Sequence, residues 1–161
     1  MSGTVLARDL MSRPVKRLTA STSVRDAAAF LTRNGISGAP VIDARGRWIG
    51  VFTLRDLGRH LQDRLVREQR RERTLESREP VVGAAAEPTD EFGRTSVKEL
   101  MTKGMFTVFP ESTLDEVVRS MVTYKIHRLF VIEEATGELE GVITTFDVLK
   151  VLNARTLAHK L

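Results

Sequence analysis

The chain has no cysteine among its 161 residues. This absence excludes disulfides, thiolate metal ligands and cysteine nucleophiles, and it fits a reducing compartment. Long apolar runs are missing as well, because nothing approaches the roughly 20 consecutive apolar residues that a membrane-spanning helix needs. The first residues already include Asp9, where a signal peptide would need an unbroken apolar stretch. We therefore expect a cytoplasmic protein without membrane insertion.

Groups that carry catalysis are scarce too. The three histidines, His60, His127 and His159, show neither a metal-ligand spacing nor the neighbouring Ser and Asp of a nucleophilic triad. A Walker-type phosphate loop is also missing. The sequence thus predicts no catalytic residue, no metal site and no required cofactor, and an enzyme is the least favoured class of function.

The overall charge gives little support to nucleic-acid binding. The net charge is +4 and the isoelectric point is about 9.8, but much of the excess arginine lies in residues 64–73, where acids are interleaved. Such a mixture is typical of a solvated helix face rather than a phosphate-binding stripe. We therefore expect no nucleic-acid partner.

An internal repeat organises the sequence. A shift of 90 residues, or 91 after one longer turn, superimposes two copies of a unit of about 50 residues. The aligned identities are Leu10-Met11 with Leu100-Met101, Ile36 with Ile126, Val41-Ile42 with Val131-Ile132, and Gly46, Gly50, Val51, Thr53 and Asp56 with Gly137, Gly141, Val142, Thr144 and Asp147. Both copies therefore end on the same phrase, Gly-Val-x-Thr-x-x-Asp.

Each copy has the same predicted order of elements, β-α-β-β-α. Capping boxes at 23–26 and 113–116 begin one helix in each copy, and Gly35 ends the first of them. Two short strands follow, at 39–43 and 48–52 in the first copy and at 129–133 and 139–143 in the second, with Gly46 and Gly137 at turn positions that need positive φ. Leading strands are expected near 15–18 and 105–108.

These elements predict an α+β protein. One copy cannot cover its own sheet, so we expect two sheets packed face to face about a pseudo-twofold axis, with flanking helices and a cleft on either side. The predicted boundaries are 5–61 for the first repeat, 62–95 for a charged helical extension with a flexible linker, 96–155 for the second repeat and 156–161 for a tail.

The two copies resemble the cystathionine-β-synthase (CBS) domain family. The second copy does so through Leu100-Met-Thr, Ile126-His-Arg-Leu-Phe-Val-Ile and Gly141-Val-Ile-Thr-Thr-Phe-Asp, and the first through Asp9-Leu-Met, Gly35-Ile-Ser-Gly-Ala-Pro-Val-Ile-Asp and Gly50-Val-Phe-Thr-Leu-Arg-Asp. The resemblance covers nearly everything except the linker and the last residues. Two such domains in tandem form what is called a Bateman module.

The resemblance implies a role for several of these positions. Asp56 and Asp147 would accept hydrogen bonds from ribose hydroxyls, while Thr53, Thr144, His127 and Arg128 would lie beside phosphate. The chemistry is sound, because a carboxylate holds a vicinal diol and a helix N-terminus attracts an anion. The residues expected to line the adenine pocket are Val15, Ile36, Ala39, Met105, Ile126 and Phe130.

Structural interpretations remain open beside these roles. Thr-x-x-Asp at a helix start is also a capping box, and His127-Arg128 is also explained as a solvated basic pair at the start of a strand. Phe130 stands where the family usually has proline, which Pro40 keeps in the first copy, so its ring either lines the pocket or belongs to the core. Only the second copy carries the basic pair, so the two clefts should differ in their preference for anionic ligands.

The resemblance implies a non-catalytic regulatory module. It would bind an adenosine-containing ligand, such as AMP, ADP, ATP or S-adenosylmethionine, and act conformationally on a separate effector protein, since no effector domain follows the second repeat. Family members commonly dimerise through the module, which implies a homodimer. The alternative is a ligand-free structural, dimerisation or protein-binding module.

Overall fold

A computed structural model describes residues 4–75 and 91–158 of the chain. The chain divides into two compact units. One, here called the continuous unit, runs from Arg17 to Gly104, and the other, the composite unit, combines Met1–Lys16 with Met105–Leu161. Each unit thus contains most of one repeat together with the leading segment of the other.

The described ranges contain both helices and strands. The elements before the undescribed residues 76–90 are α1 (Ala7–Leu10), β1 (Leu18–Thr19), α2 (Val24–Arg33), β2 (Gly38–Ile42), β3 (Trp48–Thr53) and α3 (Leu54–Leu75). Those after them are α4 (Glu91–Arg94), α5 (Val97–Leu100), β4 (Thr102–Lys103), β5 (Thr107–Val108), α6 (Leu114–Tyr124), β6 (Arg128–Ile132), β7 (Leu139–Thr144) and α7 (Thr145–Ala158).

Each unit has its own sheet. In the continuous unit the strand order is β1-β2-β3-β4, with β1 parallel to β2 and the other neighbours antiparallel. The composite unit has the order β5-β6-β7, again with one parallel and one antiparallel pair. A bridge between Ser12 and Val142 takes the position that β4 has in the other sheet. The predicted α+β class with two sheets is confirmed.

The helix starts follow the predicted capping chemistry. The hydroxyl of Ser23 accepts a hydrogen bond from the Asp26 amide at 3.1 Å, which satisfies one of the free N–H groups at the start of α2. At the start of α6 the bonds are reciprocal: Thr113 accepts from the Glu116 amide at 3.3 Å, and the Glu116 carboxylate accepts from the Thr113 amide at 2.7 Å. Local sequence therefore fixes where both helices begin.

The ends of these two helices differ between the repeats. Gly35 follows α2 with a φ of 59°, the left-handed conformation that a glycine adopts without steric cost. The aligned position after α6 is Lys125, which adopts almost the same conformation with a φ of 53°. Gly46 and Gly137 have positive φ in the turns between strands, as predicted.

The apolar side chains of the helices and of the strands pack into one core in each unit. The core of the continuous unit consists of Leu18, Val24, Ala27, Leu31, Ala39, Val41, Phe52 and Val97. The core of the composite unit consists of Ala7, Leu10, Val108, Val117, Met121, Leu129, Val131, Ile143 and Val148. Side chains from both leading segments are therefore integral to the cores.

Two glycines let the leading segments approach the sheets closely. A Cβ built on Gly50 would lie 2.5 Å from the carbonyl oxygen of Thr102 and 3.0 Å from the sulfur of Met101. A Cβ on Gly141 would overlap the side chain of Met11. The repeated Met therefore packs on the repeated Gly in both units, because only glycine leaves room for the leading segment that crosses the strand there.

Some regions depart from the expectations, and others lie beyond the described residues. The leading strands are shorter than predicted, with β1 beginning only at Leu18 and β5 at Thr107, because each pairs with its neighbour over two residues. Arg64, expected on a solvated face, contacts Glu91 at 3.2 Å and lies over the ring of Phe92, so it joins α3 to α4. The flexible linker predicted after α3 falls largely on 76–90, outside the described residues, as does the end of the predicted tail.

Among the helices of the described ranges, none combines the length and apolar character that a membrane span requires.

Candidate functional site

In the continuous unit the Thr-x-x-Asp phrase lies at the junction of β3 and α3. The Oδ2 atom of Asp56 accepts two hydrogen bonds from Thr53, one from the amide at 2.8 Å and one from the hydroxyl at 2.6 Å. The Asp56 amide in turn donates to the Thr53 hydroxyl at 3.3 Å. This is a reciprocal cap, and it holds the carboxylate in one orientation. Asp56 is also buried, with only 3% of the residue exposed.

The other oxygen of Asp56 has a partner from a distant part of the sequence. Its Oδ1 accepts a hydrogen bond from the hydroxyl of Thr102 at 3.1 Å. Thr102 lies on β4, directly opposite Val51 of β3. The leading segment of the second repeat therefore supplies a hydroxyl to the carboxylate of the first.

The composite unit repeats the cap at the junction of β7 and α7. Asp147 Oδ2 accepts from the Thr144 amide at 2.9 Å and from its hydroxyl at 2.6 Å, and the Asp147 amide donates to that hydroxyl at 3.4 Å. The Oδ1 atom is 3.4 Å from the ammonium of Lys150, one turn further along the helix. Both carboxylates thus have one oxygen fixed by threonine and the other in contact with a different group.

The surroundings of Asp147 stabilise its charged form. Burial alone would raise the pKa of Asp147, because it removes water from the carboxylate. The hydrogen bonds from Thr144 and the nearby Lys150 ammonium outweigh this effect, so the pKa lies below the ordinary value of an aspartate. Asp147 is therefore a charged acceptor at neutral pH.

The first amide of α3 and the first amide of α7 are each hydrogen-bonded to the residue just before a neighbouring strand. The Thr145 amide donates to the carbonyl of His127 at 3.2 Å, and Arg128 lies opposite Thr144 in the sheet. In the continuous unit the Leu54 amide donates in the same way to Ser37 at 3.0 Å. In the composite unit these contacts place the backbone of the basic pair beside Thr144 and Thr145, and in both units the bonds occupy amides that the sequence alone left free for an anion.

The two residues of the basic pair differ in exposure. The side chain of His127 is exposed, whereas Arg128 is half-buried, and burial lowers the pKa of its guanidinium. Arginine nevertheless keeps its charge in proteins. The continuous unit has Ser37 and Gly38 at the aligned places, so it lacks this basic pair.

The residues expected to line an adenine pocket have varied surroundings. Ala39 is fully buried and belongs to the core of the continuous unit, and Phe130 is only 2% exposed. Four are half-buried, namely Val15, Ile36, Met105 and Ile126, of which Ile36 and Ile126 pack at the margins of the two cores.

Two contacts of the carboxylates were missed by sequence reasoning. The alignment of the repeats contains a signal for Thr102, because a hydroxyl residue follows the repeated Met in both copies, as Ser12 and as Thr102. For Lys150 the signal is its position three residues after Asp147 on a helix, where side chains meet. Within residues 4–75 and 91–158, no group of three or more His, Asp or Glu side chains is placed to hold a metal ion.

Comparison with known proteins assigns the repeats. The sequence profile of the CBS domain matches residues 7–63 and 97–154. Inosine-5′-monophosphate dehydrogenase of Korarchaeum cryptofilum is 32% identical over 142 residues, which are 88% of this chain and 23% of that protein. The chain therefore spans about a quarter of the length of this relative.

Solved structures of similar size share the fold. A putative acetoin utilization protein from Vibrio cholerae superimposes with a TM-score of 0.74 at 22% identity, over 99% of this chain and 100% of that one. CBSX2, crystallised in complex with AMP, has a TM-score of 0.66 at 25% identity, over 94% and 98% of the two chains. With both repeats matched by one family and the fold shared along its length, the chain belongs to the CBS domain family and contains two CBS domains in tandem.

Proposed function

We propose that the protein is a non-catalytic regulatory module that binds an adenosine-containing ligand and acts conformationally on a separate partner. The observation that carries this proposal is the matching arrangement of Asp56 and Asp147. In each unit a buried carboxylate is held by threonine through Oδ2, and its Oδ1 contacts a different group, Thr102 in one unit and Lys150 in the other.

The geometry suits a vicinal diol. A ribose offers two neighbouring hydroxyl donors, and an ionised carboxylate has about four lone-pair sites on two oxygens. Preorganised acceptors lose little entropy on binding, since the threonine bonds have already fixed the orientation. Thr53 and Thr144 donate their hydroxyl protons to these carboxylates, so either would reach a phosphate only by giving up that bond.

The comparison with CBSX2 supports an adenine nucleotide as the ligand. That protein binds AMP, and it matches this chain over nearly its full length. The candidate ligands are AMP, ADP, ATP and S-adenosylmethionine. Because His127 and Arg128 align with Ser37 and Gly38, which carry no charge, we expect the more anionic ligands to prefer the composite unit.

Calorimetry with these four ligands tests the proposal. Asp56→Asn and Asp147→Asn should each abolish or strongly weaken binding at their own site, and Arg128→Ala should reduce the preference for ligands of higher charge. A ligand at about 100 times its Kd should stabilise the wild type by about 2.7 kcal/mol if it binds only the folded state. Absence of binding for the whole panel would refute the proposal for these ligands.

A matched control separates ligand binding from helix capping. Glu116 caps α6 with the same reciprocal geometry as the two aspartates, but it lies at a different helix start. Glu116→Gln should lower stability and leave the affinity unchanged. If the Asp variants also lose stability without losing affinity, both carboxylates are caps only.

A second candidate function is protein binding without a ligand, including formation of a homodimer. The observation in its favour is an apolar stripe on α7, where Phe146, Leu149 and Leu152 are 64%, 59% and 45% exposed. Such large exposed side chains at helical spacing are typical of a contact surface. Sedimentation analysis of the wild type and of Leu149→Glu tests it, since a dimer through this face should dissociate in the variant.

A further inference from the structure

The two candidate sites differ in what occupies the outer oxygen of the carboxylate. In the composite unit this partner is Lys150, whose side chain is long and 61% exposed, with its ammonium also lying over the ring of Phe146. In the continuous unit it is the hydroxyl of Thr102, at 3.1 Å from Asp56 Oδ1. A threonine hydroxyl sits on a short side chain, so its position follows that of the backbone.

The backbone at Thr102 is held against the sheet. Thr102 and Lys103 of β4 pair with Val51 and Gly50 of β3. The approach is so close that a Cβ on Gly50 would meet the Thr102 carbonyl at 2.5 Å. Displacing this hydroxyl from Asp56 therefore requires a rotation of a β-branched side chain or a shift of β4 itself.

We infer that Thr102 is a latch on the Asp56 site, and that its hydroxyl competes with the ribose hydroxyls of a ligand. Asp56 is only 3% exposed while the latch is closed. A diol that binds both carboxylate oxygens must replace the Thr102 bond, whereas at Asp147 it has to displace an exposed lysine on a long side chain. The site in the composite unit should therefore fill at lower ligand concentration. This inference rests on the proposed function.

Thr102 lies close to the point where the chain leaves the continuous unit, so displacing its hydroxyl would also affect the segment that follows. Thr102 lies just before Gly104 and Met105, where the chain passes from the continuous unit to the composite unit. From there the chain enters β5, which pairs with β6. Ligand bound at Asp56 would thus alter the segment that leads into the other unit's sheet, which makes Thr102 a positioning residue for signalling as well as for affinity.

Calorimetry with adenosine tests the latch without any contribution from phosphate. The full-length Asp147→Asn protein serves as the background, so that only the Asp56 site is measured. Thr102→Val keeps the shape of the side chain and removes the hydroxyl, and we expect adenosine to bind about fivefold more tightly, the factor that one net hydrogen bond supplies. Thr102→Ser should keep the affinity of the background protein.

Ser12→Ala is the matched control, because Ser12 holds the aligned position in the composite unit. It should leave the affinity at Asp56 unchanged. Unchanged or weaker binding in Thr102→Val, with binding still abolished by Asp56→Asn, would overturn the latch and leave the proposed function standing. If adenosine and AMP bind to none of these proteins nor to the wild type, the proposed function fails and the latch with it.

Hydrogen exchange gives a second readout that does not depend on a new variant. Saturating adenosine should leave the amides of Thr102 and Lys103 no better protected than in the ligand-free protein, and faster exchange there would show that β4 moves with the hydroxyl. It should also leave the capping amide of Asp56 protected. Stronger protection of Thr102 and Lys103 in the complex would mean that the ligand closes this segment, which contradicts the inference.

Discussion

Lys125 offers the sharpest test of how far the two repeats obey the same backbone rules. It ends α6 in the left-handed conformation, with φ 53° and ψ 45°. Gly35 ends the aligned helix α2 at φ 59°. Replacing Lys125 with glycine should therefore stabilise the protein, because it removes the steric cost of that conformation without changing the backbone path.

The expected gain follows from two opposing effects. A left-handed non-glycine residue costs about 1–2 kcal/mol, because its Cβ approaches the following carbonyl oxygen. Glycine loses about 0.5–1 kcal/mol more conformational entropy on folding than a residue with a side chain. The net stabilisation of Lys125→Gly should be about 0.5–1 kcal/mol. The side chain of Lys125 is exposed, so little packing is lost.

Urea unfolding followed by circular dichroism measures this change. Lys125→Ala is the control, since it removes the charge and the long side chain but keeps the Cβ, and it should be no more stable than the wild type. The reciprocal change, Gly35→Lys, should destabilise by a similar amount, because nothing lies within 4 Å of a Cβ built there and only the backbone effect remains. Its unfolding can be followed by the fluorescence of Trp48, the only tryptophan.

The reasoning fails if Lys125→Gly is no more stable than Lys125→Ala. Equal stability would mean that the left-handed conformation of Lys125 carries no steric cost in this turn. A Gly35→Lys protein as stable as the wild type would lead to the same conclusion for the first repeat.

The remaining predictions concern the crossing segments and the charge at Asp147. Gly141→Ala should destabilise by about 1–3 kcal/mol in urea unfolding, because its Cβ overlaps Met11, and Met11→Ala should recover part of the loss. Gly50→Ala meets a backbone carbonyl instead, so no trimming of a side chain should rescue it. The pKa of Asp147 is depressed in the folded protein, so its charge stabilises the fold above pH about 4, and this contribution is lost as the pH falls through the folded pKa. Lys150→Met should raise that pKa in an NMR titration; an unchanged pKa would exclude the lysine as a cause.

Features set by neighbouring residues were predictable from the sequence. The caps at Ser23 and Thr113 and the turns at Gly46 and Gly137 depend on a few adjacent residues, and the structure confirms them. Lys125 shows the limit of such rules, because a left-handed position is recognised in a sequence mainly when glycine or asparagine occupies it.

Contacts between distant segments were not predictable in the same way. A repeat alignment shows that Met11 and Met101 correspond, but not that each packs on the glycine of the other repeat. The bond between Thr102 and Asp56 joins residues 46 apart, and no periodicity encodes such a pair. The repeated phrase gives the position of the carboxylates, while the partners of their outer oxygens depend on tertiary packing.

The chain segments that make up each unit also set an order in which the two units can fold during synthesis. Every residue of the continuous unit has been made once the ribosome has passed Gly104. The bridge of Ser12 cannot form until Val142 has been synthesised, 130 residues later in the chain (142 minus 12). At about 5–20 residues per second this wait is on the order of ten seconds. Ala7 and Leu10 are therefore synthesised well before most of the composite unit, and they stay without the rest of their core until then.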